Sequence, residues 1–155
     1  EVNICMFVDS DHAGDKVSHR SRSGFLIYMN TALVQWFSKK QSTVETSVFG
    51  AEFVAMKQGI DALRCLRYKL RMMGVPVEDP CNVLCDNEAV VKNSTRPEST
   101  LKKKHQAIAY HRTREAQAAG TVRIAKEDGE TNLADIFTKL LAGPKLRDLS
   151  QRILW

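Results

Sequence analysis

The chain has 155 residues, of which 43% are hydrophobic and 26% charged, a composition typical of a globular domain with a substantial core. No apolar stretch approaches the roughly 20 residues of a membrane span and no signal sequence opens the chain, so we expect a soluble intracellular protein with no membrane partner. The formal charge of +5 at pH 7 permits a polyanionic partner without requiring one. We predict a single domain over residues 1–155, with its core at about 2–141 and a helical tail at 143–155.

The first half of the chain predicts three strands and one long helix. An apolar run at 2–8 is typical of a buried strand. Two further runs at 25–29 and 33–37 are rich in strand-forming residues, and the short turn between them indicates an antiparallel hairpin. From 44 to 73 the apolar residues recur every three or four positions, which predicts the longest helix, ended by Gly74.

The second half alternates shorter strands and helices. In chain order it predicts a strand at 82–85, a helix at 88–92, a helix capped by Ser99 or Thr100 that runs to 119, a strand at 121–125, a helix at 132–141 capped by Asn132, and a weaker amphipathic helix in the tail. This alternation is typical of a mixed sheet covered by helices.

Four carboxylates stand where the pattern favours apolar or neutral residues: Asp9, Glu52, Asp86 and Asp135. Asp9 and Asp86 follow strands, at the rim where open sheets carry their sites. Helical spacing turns Glu52 towards the sheet, and Asp135 lies near the positive end of its helix dipole. Buried carboxylates unaccompanied by lysine or arginine are costly unless a cation neutralises them. We therefore predict a pair of divalent ions, and oxygen ligands favour magnesium or manganese.

Each acid taken alone could instead have an ordinary structural role, as a turn, cap or boundary residue. Asp11 and Glu45 are alternative ligands if the predicted register is shifted. The four cysteines are expected to be free thiols, mostly buried. A zinc site is disfavoured, because Cys-x3-Cys falls on one face of a strand; its members would be Cys81, Cys85, His105 and His111.

Two basic clusters are candidates for contacting phosphates. The first contains Arg20, Arg22, Lys39 and Lys40. The second contains Lys102, Lys103, Lys104, His105, His111, Arg112 and Arg114. A solvated helix start is the alternative for the second cluster, although positive charge there opposes the helix dipole. We add Ser10 and Asn87, which directly follow two of the acids, as substrate contacts, and we place Trp36, Met72 and Met73 in the core.

Several motifs carry a resemblance to a known family. They are VDSDHAGD at 8–15, WFSKKQSTV at 36–44, AEFVA at 51–55, CDN at 85–87, KH at 104–105, YH at 110–111 with RE at 114–115, and NLADIFTK at 132–139. In this order they resemble the ribonuclease H domain of copia-type (pseudoviral) retrotransposon polyproteins, over about residues 7–141.

The resemblance implies an α/β ribonuclease H fold, with a five-stranded mixed sheet in the chain order βββαβααβα, helices on both faces and a C-terminal helix. It places the family's metal-binding and catalytic acids on Asp9, Glu52, Asp86 and Asp135. The implied activity is endonucleolytic hydrolysis of the RNA strand of RNA–DNA hybrids by two magnesium ions, with manganese able to substitute, leaving 5′-phosphates. The implied setting is reverse transcription, beside a reverse transcriptase domain of the same polyprotein, in the cytoplasm within virus-like particles.

The chain departs from the family pattern in three places. The residues before Glu52 differ from the usual Ser-Ser-Thr-Glu-Ala run, and Gln106 and Ala107 follow His105 where relatives often have Ile and Asp. Residues 126–131 lack the histidine that cellular ribonucleases H often carry there. Two other functions stay open: a catalytically weak module that binds or tethers hybrid beside a reverse transcriptase, and a DNA-processing relative such as an integrase or resolvase.

Overall fold

The computed structural model describes residues 2–98 and 106–154, and its centre is a five-stranded mixed sheet in the order β3-β2-β1-β4-β5. The strands are β1 (Ile4–Asp11), β2 (Arg22–Met29), β3 (Ala32–Lys40), β4 (Cys81–Cys85) and β5 (Val122–Lys126). β1, β2 and β3 pair antiparallel, whereas β4 is parallel to β1 and β5 is parallel to β4. The predicted mixed sheet and its hairpin are confirmed.

Within residues 2–98 and 106–154, five helices accompany the sheet: α1 (Val48–Met72), α2 (Glu88–Thr95), α3 (Ala107–Ala118), α4 (Asp135–Thr138) and α5 (Gly143–Leu154). α1 begins where the Ser47 side chain accepts a hydrogen bond from the Gly50 amide. It ends before Gly74, whose φ of +76° suits a residue without a β-carbon. The predicted order of strands and helices is confirmed.

The helices lie on both faces of the sheet and form two cores of unequal size. We call the face covered by α1, α2 and α3 the large face, since the larger hydrophobic cluster lies there, including Met6, Val8, Phe53 and Leu63. The opposite, small face carries α4 and α5 over a cluster that includes Leu26, Leu133, Ala134 and Leu149. Side chains alternate between the two faces along each strand.

Several predicted boundaries differ from the structure. β1 continues to Asp11, so Asp9 lies within the strand and not after it. The helix predicted over 132–141 is a single turn, because Asn132 and the residues after it form a turn that brings Asp135 to the sheet. The predicted cap at Ser99 or Thr100 lies outside the described residues.

The placement of Trp36, Met72 and Met73 in the core is wrong. Their exposed fractions are 64%, 71% and 68%. Trp36 stands on the edge strand β3, and the two methionines follow Leu70, the last buried residue of the α1 stripe. Among the described residues, no helix is both long and apolar enough to cross a membrane.

Candidate metal-binding site

Asp9 lies on β1 directly opposite Gly24 of β2, and its side chain is buried. A β-carbon at Gly24 would lie 2.7 Å from Cγ2 of Thr138 and 2.9 Å from Cβ of Phe137. Gly24 therefore lets α4 approach the sheet closely. The hydroxyl of Thr138 donates a hydrogen bond to Asp9 Oδ2, which ties α4 to this acid.

Glu52 lies in the second turn of α1 and is only 3% exposed. The backbone amide of Ser10 donates a hydrogen bond to its carboxylate. Nearby, the Gln41 side chain donates to Ala51 O at 2.9 Å and to Ser23 Oγ at 3.0 Å, which fixes this part of α1 to β2. Glu52 Oε2 accepts no hydrogen bond within the described part of the chain. A buried oxygen of this kind is costly without a partner.

Asp86 directly follows β4, whose last residue, Cys85, lies beside Val8 in the parallel pairing with β1. This pairing brings Asp86 next to Asp9, as the rim argument predicts. Asn87 caps α2 by accepting hydrogen bonds from the amides of Ala89 and Val90. The cap holds the chain directly after Asp86 in place.

Asp135 opens α4 and is buried. The turn before it is fixed by Asn132, whose side-chain oxygen accepts from the Ala134 amide at 3.1 Å and whose amide group donates to Val8 O at 3.2 Å. Asn132 thus connects the segment before α4 to β1, three residues before Asp135, the acid that it positions. The predicted role of Asn132 as the N-cap is wrong, because Ala134 is the N-cap of α4, and sequence reasoning missed the contact of Asn132 with the sheet.

The four predicted acids meet at one end of the sheet. Carboxylate oxygens of Asp9, Asp86 and Asp135 lie within 4.8 Å of one another, and Glu52, Asp86 and the Cys85 thiol form a second group at the same spacing. The alternatives Asp11 and Glu45 belong to neither group. Asp11, the last residue of β1, instead accepts a hydrogen bond from the amide of Arg22, the first residue of β2.

Lys139 lies among these acids, and sequence reasoning missed it. Its Nζ is 2.7 Å from Asp135 Oδ1, 3.1 Å from Asp9 Oδ1 and 3.9 Å from Asp86 Oδ2. Lys145 Nζ lies 3.1 Å from Asp135 Oδ2. The expectation that no lysine or arginine accompanies the acids is therefore wrong. The spacing of four residues between Asp135 and Lys139, within the NLADIFTK motif, was the available signal.

Burial dominates the electrostatics of the cluster. It raises the pKa of Asp9 to about 6, against the opposing effects of Lys139 and Thr138, and Asp86 and Asp135 add to the rise. Burial, followed by the charges of Asp9 and Asp86, holds the pKa of Glu52 well above its usual value. For Lys139, burial disfavours the charged form, but Asp9 and Asp135 outweigh it and raise its pKa. The site therefore has a strong demand for positive charge.

The donor set fits a hard divalent ion. Carboxylate oxygens from four segments of the chain lie close together, and one of the acids, Glu52, has a buried oxygen with no hydrogen-bond partner among the described residues. Zinc fits less well, because burial and then the charge of Glu52 raise the pKa of the Cys85 thiol well above its usual value. Cys81 is buried in β4, His111 is exposed, and His105 lies outside the described residues.

Curated relatives of the chain are Pol polyproteins. It is 28% identical over 152 residues to the retrovirus-related Pol polyprotein from transposon RE2 of Arabidopsis thaliana, which covers 98% of the chain. It is 27% identical over 135 residues to the corresponding polyprotein from transposon TNT 1-94 of Nicotiana tabacum, covering 87% of the chain. The chain spans only 10% of the length of each relative. No protein-family model matches it.

Solved structures identify the fold. The N-terminal ribonuclease H domain of a Mycobacterium tuberculosis protein aligns with a TM-score of 0.66 at 15% identity, covering 97% of this chain and 98% of that one. LC11-RNase H1 in complex with an RNA/DNA hybrid aligns with a TM-score of 0.67 at 15% identity, covering 88% and 94%. The chain has the ribonuclease H fold and is homologous to transposon Pol polyproteins. Both expectations from the motifs are confirmed.

In this ribonuclease H fold, a basic cleft of about 500 Å³ lies next to the acids. Its lining includes the cationic residues Arg20, Arg22, Lys40 and Lys139 and also the carboxylates Asp11 and Asp15, so the lining is positive on balance. Most of the first predicted basic cluster thus lies beside the acids, with Lys40 paired to Asp15. Lys39 of the same cluster is exposed on β3.

The second predicted basic cluster is only partly described. Lys102, Lys103, Lys104 and His105 lie outside the described residues. His111 is exposed, and Arg112 pairs with Asp61 at 3.5 Å and with Glu115 at 3.1 Å. Phosphate contact by these residues stays a prediction.

Three other predicted substrate residues have structural partners or are buried. The Arg114 guanidinium donates to the carbonyl oxygens of Asn93, Arg96 and Pro97 at 2.7–2.9 Å. These bonds connect α3 to the end of α2. Asn87 uses its side-chain oxygen as the α2 cap, and the Ser10 hydroxyl is buried. Contact of Ser10, Asn87 and Arg114 with a substrate stays a prediction.

Proposed function

We propose that the chain is a ribonuclease H that hydrolyses the RNA strand of RNA–DNA hybrids during reverse transcription of a retrotransposon. The observation that carries the proposal is the convergence of Asp9, Asp86 and Asp135 oxygens within 4.8 Å, beside the buried Glu52. Homology to transposon Pol polyproteins supports the retrotransposon setting, and a hybrid-bound neighbour of the same fold supports the substrate.

The four acids would hold two magnesium ions, with manganese able to substitute. Bound divalent ions would lower the pKa of the attacking water and stabilise the departing 3′ oxygen, leaving a 5′-phosphate on the product. The residues of the chain keep the ligands in place: Thr138 orients Asp9, the Ser10 amide orients Glu52, and Asn132 fixes the turn that carries Asp135. This preorganisation places negative charge where the cations are needed.

The basic cleft beside the acids would hold the phosphates of the hybrid. Arg20 and Arg22 line the same cleft as Lys139, which contacts the acids, so the cleft would offer phosphates a basic surface that needs no base-specific contact. We expect weak sequence preference and binding that falls steeply as salt increases. Contacts to 2′-hydroxyl groups would distinguish the RNA strand from DNA.

We propose that residues 1–155 form one ribonuclease H domain that adjoins a reverse transcriptase domain in a longer polyprotein. The small share of each relative that the chain covers, and the Pol names of those relatives, support this arrangement. We place its activity in the cytoplasm, within virus-like particles. A protein extended to include the polymerase segment would show whether the adjoining domain raises hybrid affinity.

The activity is tested with an end-labelled RNA–DNA hybrid and magnesium. We expect internal cleavage of the RNA strand to products with 5′-phosphates, and loss of at least about a hundredfold in rate for Asp86→Asn, since a ligand charge is removed. Asp148→Asn is the matched control, because Asp148 pairs only with Arg152 on exposed α5 in the described residues.

Three outcomes would contradict the proposal or its assignment of the acids. Hybrid binding without cleavage, in magnesium and in manganese, would favour the tethering module. Preferred cleavage of duplex DNA would favour a DNA-processing relative. Full activity of Asp86→Asn would show that the acids are assigned wrongly.

A further inference from the structure

The acid cluster is asymmetric in the way its oxygens are satisfied. On one side, Asp9 Oδ1 and Asp135 Oδ1 both contact Lys139 Nζ, at 3.1 and 2.7 Å. Asp9 Oδ2 accepts from Thr138, and Asp135 Oδ2 lies 3.1 Å from Lys145 Nζ. Both oxygens of both acids therefore already have a donor.

The other side of the cluster is poor in donors. Glu52 Oε2 accepts no hydrogen bond from the described residues, and Asp86 lies 3.9 Å from Lys139 Nζ, beyond hydrogen-bond distance. A cation entering between Glu52 and Asp86 would satisfy an oxygen that is otherwise buried without a partner. A cation entering between Asp9 and Asp135 would have to replace an ammonium group already there.

Lys139 is suited to such a replacement. An ammonium group is a compact charge on a flexible stem, and it can be moved without rearranging the backbone. Lys139 directly follows α4, its side chain is 38% exposed, and it lines the basic cleft. The side chain can therefore leave the acids and still remain beside the cleft.

We propose that Lys139 is a tethered cation that holds the Asp9–Asp135 half of the site together and must be displaced before a divalent ion binds there. Ion binding is then sequential: the Glu52–Asp86 half fills first, and the Asp9–Asp135 half fills at higher concentration, as Lys139 turns towards the cleft. The inference rests on the proposed metal site and adds to it an internal competitor and an order of occupancy.

The test compares manganese binding to the wild-type protein, Lys139→Met and Lys145→Met, followed by calorimetry and by the electron paramagnetic resonance of free manganese. Methionine keeps much of the length of the side chain and removes its charge. We expect two classes of site in the wild type, and in Lys139→Met a gain of at least about tenfold in the weaker class, because its competitor is gone. Lys145→Met is the matched control, since Lys145 contacts Asp135 but neither Asp9 nor Asp86 in the described residues.

Thermal unfolding gives a second readout, independent of cleavage. In EDTA, Lys139→Met should unfold at a lower temperature than the wild type, because two buried acids lose their counter-charge. Saturating manganese should raise its unfolding temperature by more than it raises that of the wild type. Lys139→Gln repeats both measurements with a side chain that can still donate hydrogen bonds, in case the methionine variant does not fold without metal.

The outcomes distinguish a failure of the Lys139 proposal from a failure of the proposed metal site. Unchanged or weaker manganese binding in both Lys139 variants would overturn the tethered-cation role and leave the metal site standing. An equal gain in Lys145→Met would also overturn it, because the effect would then be one of general charge and not of position. Absence of manganese binding in every protein, with the fold intact, would instead refute the metal site itself.

Discussion

Glu52 and Asp135 reach the same cluster from opposite faces of the sheet, and each face holds its acid by a different kind of interaction. Glu52 belongs to the 25-residue α1, which packs over the larger hydrophobic cluster. Asp135 belongs to the four-residue α4, which is held by polar contacts from Asn132, Thr138 and Lys145 over a smaller cluster. Packing in the larger core holds the helix that carries Glu52, whereas hydrogen bonds and a close approach to β2 hold the turn that carries Asp135. Substitutions on the two faces should therefore differ in kind.

The largest effect is expected on the large face. Leu63→Ala removes a fully buried side chain from α1, and we expect it to lower the free energy of unfolding by about 4 kcal/mol, since the surrounding core cannot collapse into the cavity. Urea unfolding measures the change. A cost no greater than that of the matched substitution on the small face would contradict the difference between the faces.

The matched change on the small face is Leu149→Ala in α5. Leu149 is also fully buried, but its cluster is smaller and lies under a short helix that can adjust. We expect a loss of about 2.5 kcal/mol in the free energy of unfolding. We also expect weaker manganese binding, because α5 lies against α4, which carries Asp135. The same calorimetry measures manganese binding in both leucine variants. A larger loss of manganese affinity in Leu63→Ala than in Leu149→Ala would contradict the prediction that the small face affects metal binding more.

A glycine pair tests the close approach of α4. Gly24→Ala places a β-carbon 2.7 Å from Thr138 and 2.9 Å from Phe137, so α4 must shift, at a cost of about 2 kcal/mol. In Gly59→Ala on the large face, the added β-carbon lies 2.6 Å from Sδ at the flexible end of Met6 and at an ordinary contact distance of 3.7 Å from Phe25. Better helix propensity offsets the contact with Met6, so we expect a change within about 1 kcal/mol. Hybrid cleavage should fall in Gly24→Ala and persist in Gly59→Ala. Equal effects on cleavage would show that the spacing of α4 does not matter.

The smallest effect is expected where a polar contact is exposed. Ser38 Oγ donates to the Phe137 carbonyl at 2.6 Å, tying β3 to α4. Ser38→Ala should cost about 0.5 kcal/mol in the free energy of unfolding, because water replaces an exposed donor well. Thermal unfolding at matched ionic strength measures it. A cost above that of Gly24→Ala would mean that this contact, and not close packing, holds α4.

Local sequence patterns were sufficient to predict most of the fold. They were insufficient where the structure depends on contacts between residues that are far apart in the chain. The hairpin, α1 and the alternation after β4 follow from short-range periodicity and turn residues, and their order was predictable. The helix over 132–141 was predicted too long, because Asn132 bonds to β1 and Thr138 bonds to Asp9, more than 120 residues away. Trp36 was misplaced for a related reason: its apolar character does not say that β3 is an edge strand.

The sequence by itself predicted which acids meet at one end of the sheet. Asp9, Glu52, Asp86 and Asp135 break local patterns of burial and periodicity, and such breaks are visible in a single chain. Only the tertiary structure decided how the acids are satisfied, because the position of the Lys139 ammonium depends on β1, β4 and α4 meeting at one point. Periodicity reports the face on which a residue lies, whereas the electrostatic balance of a buried site depends on which groups from distant segments come within a few ångströms.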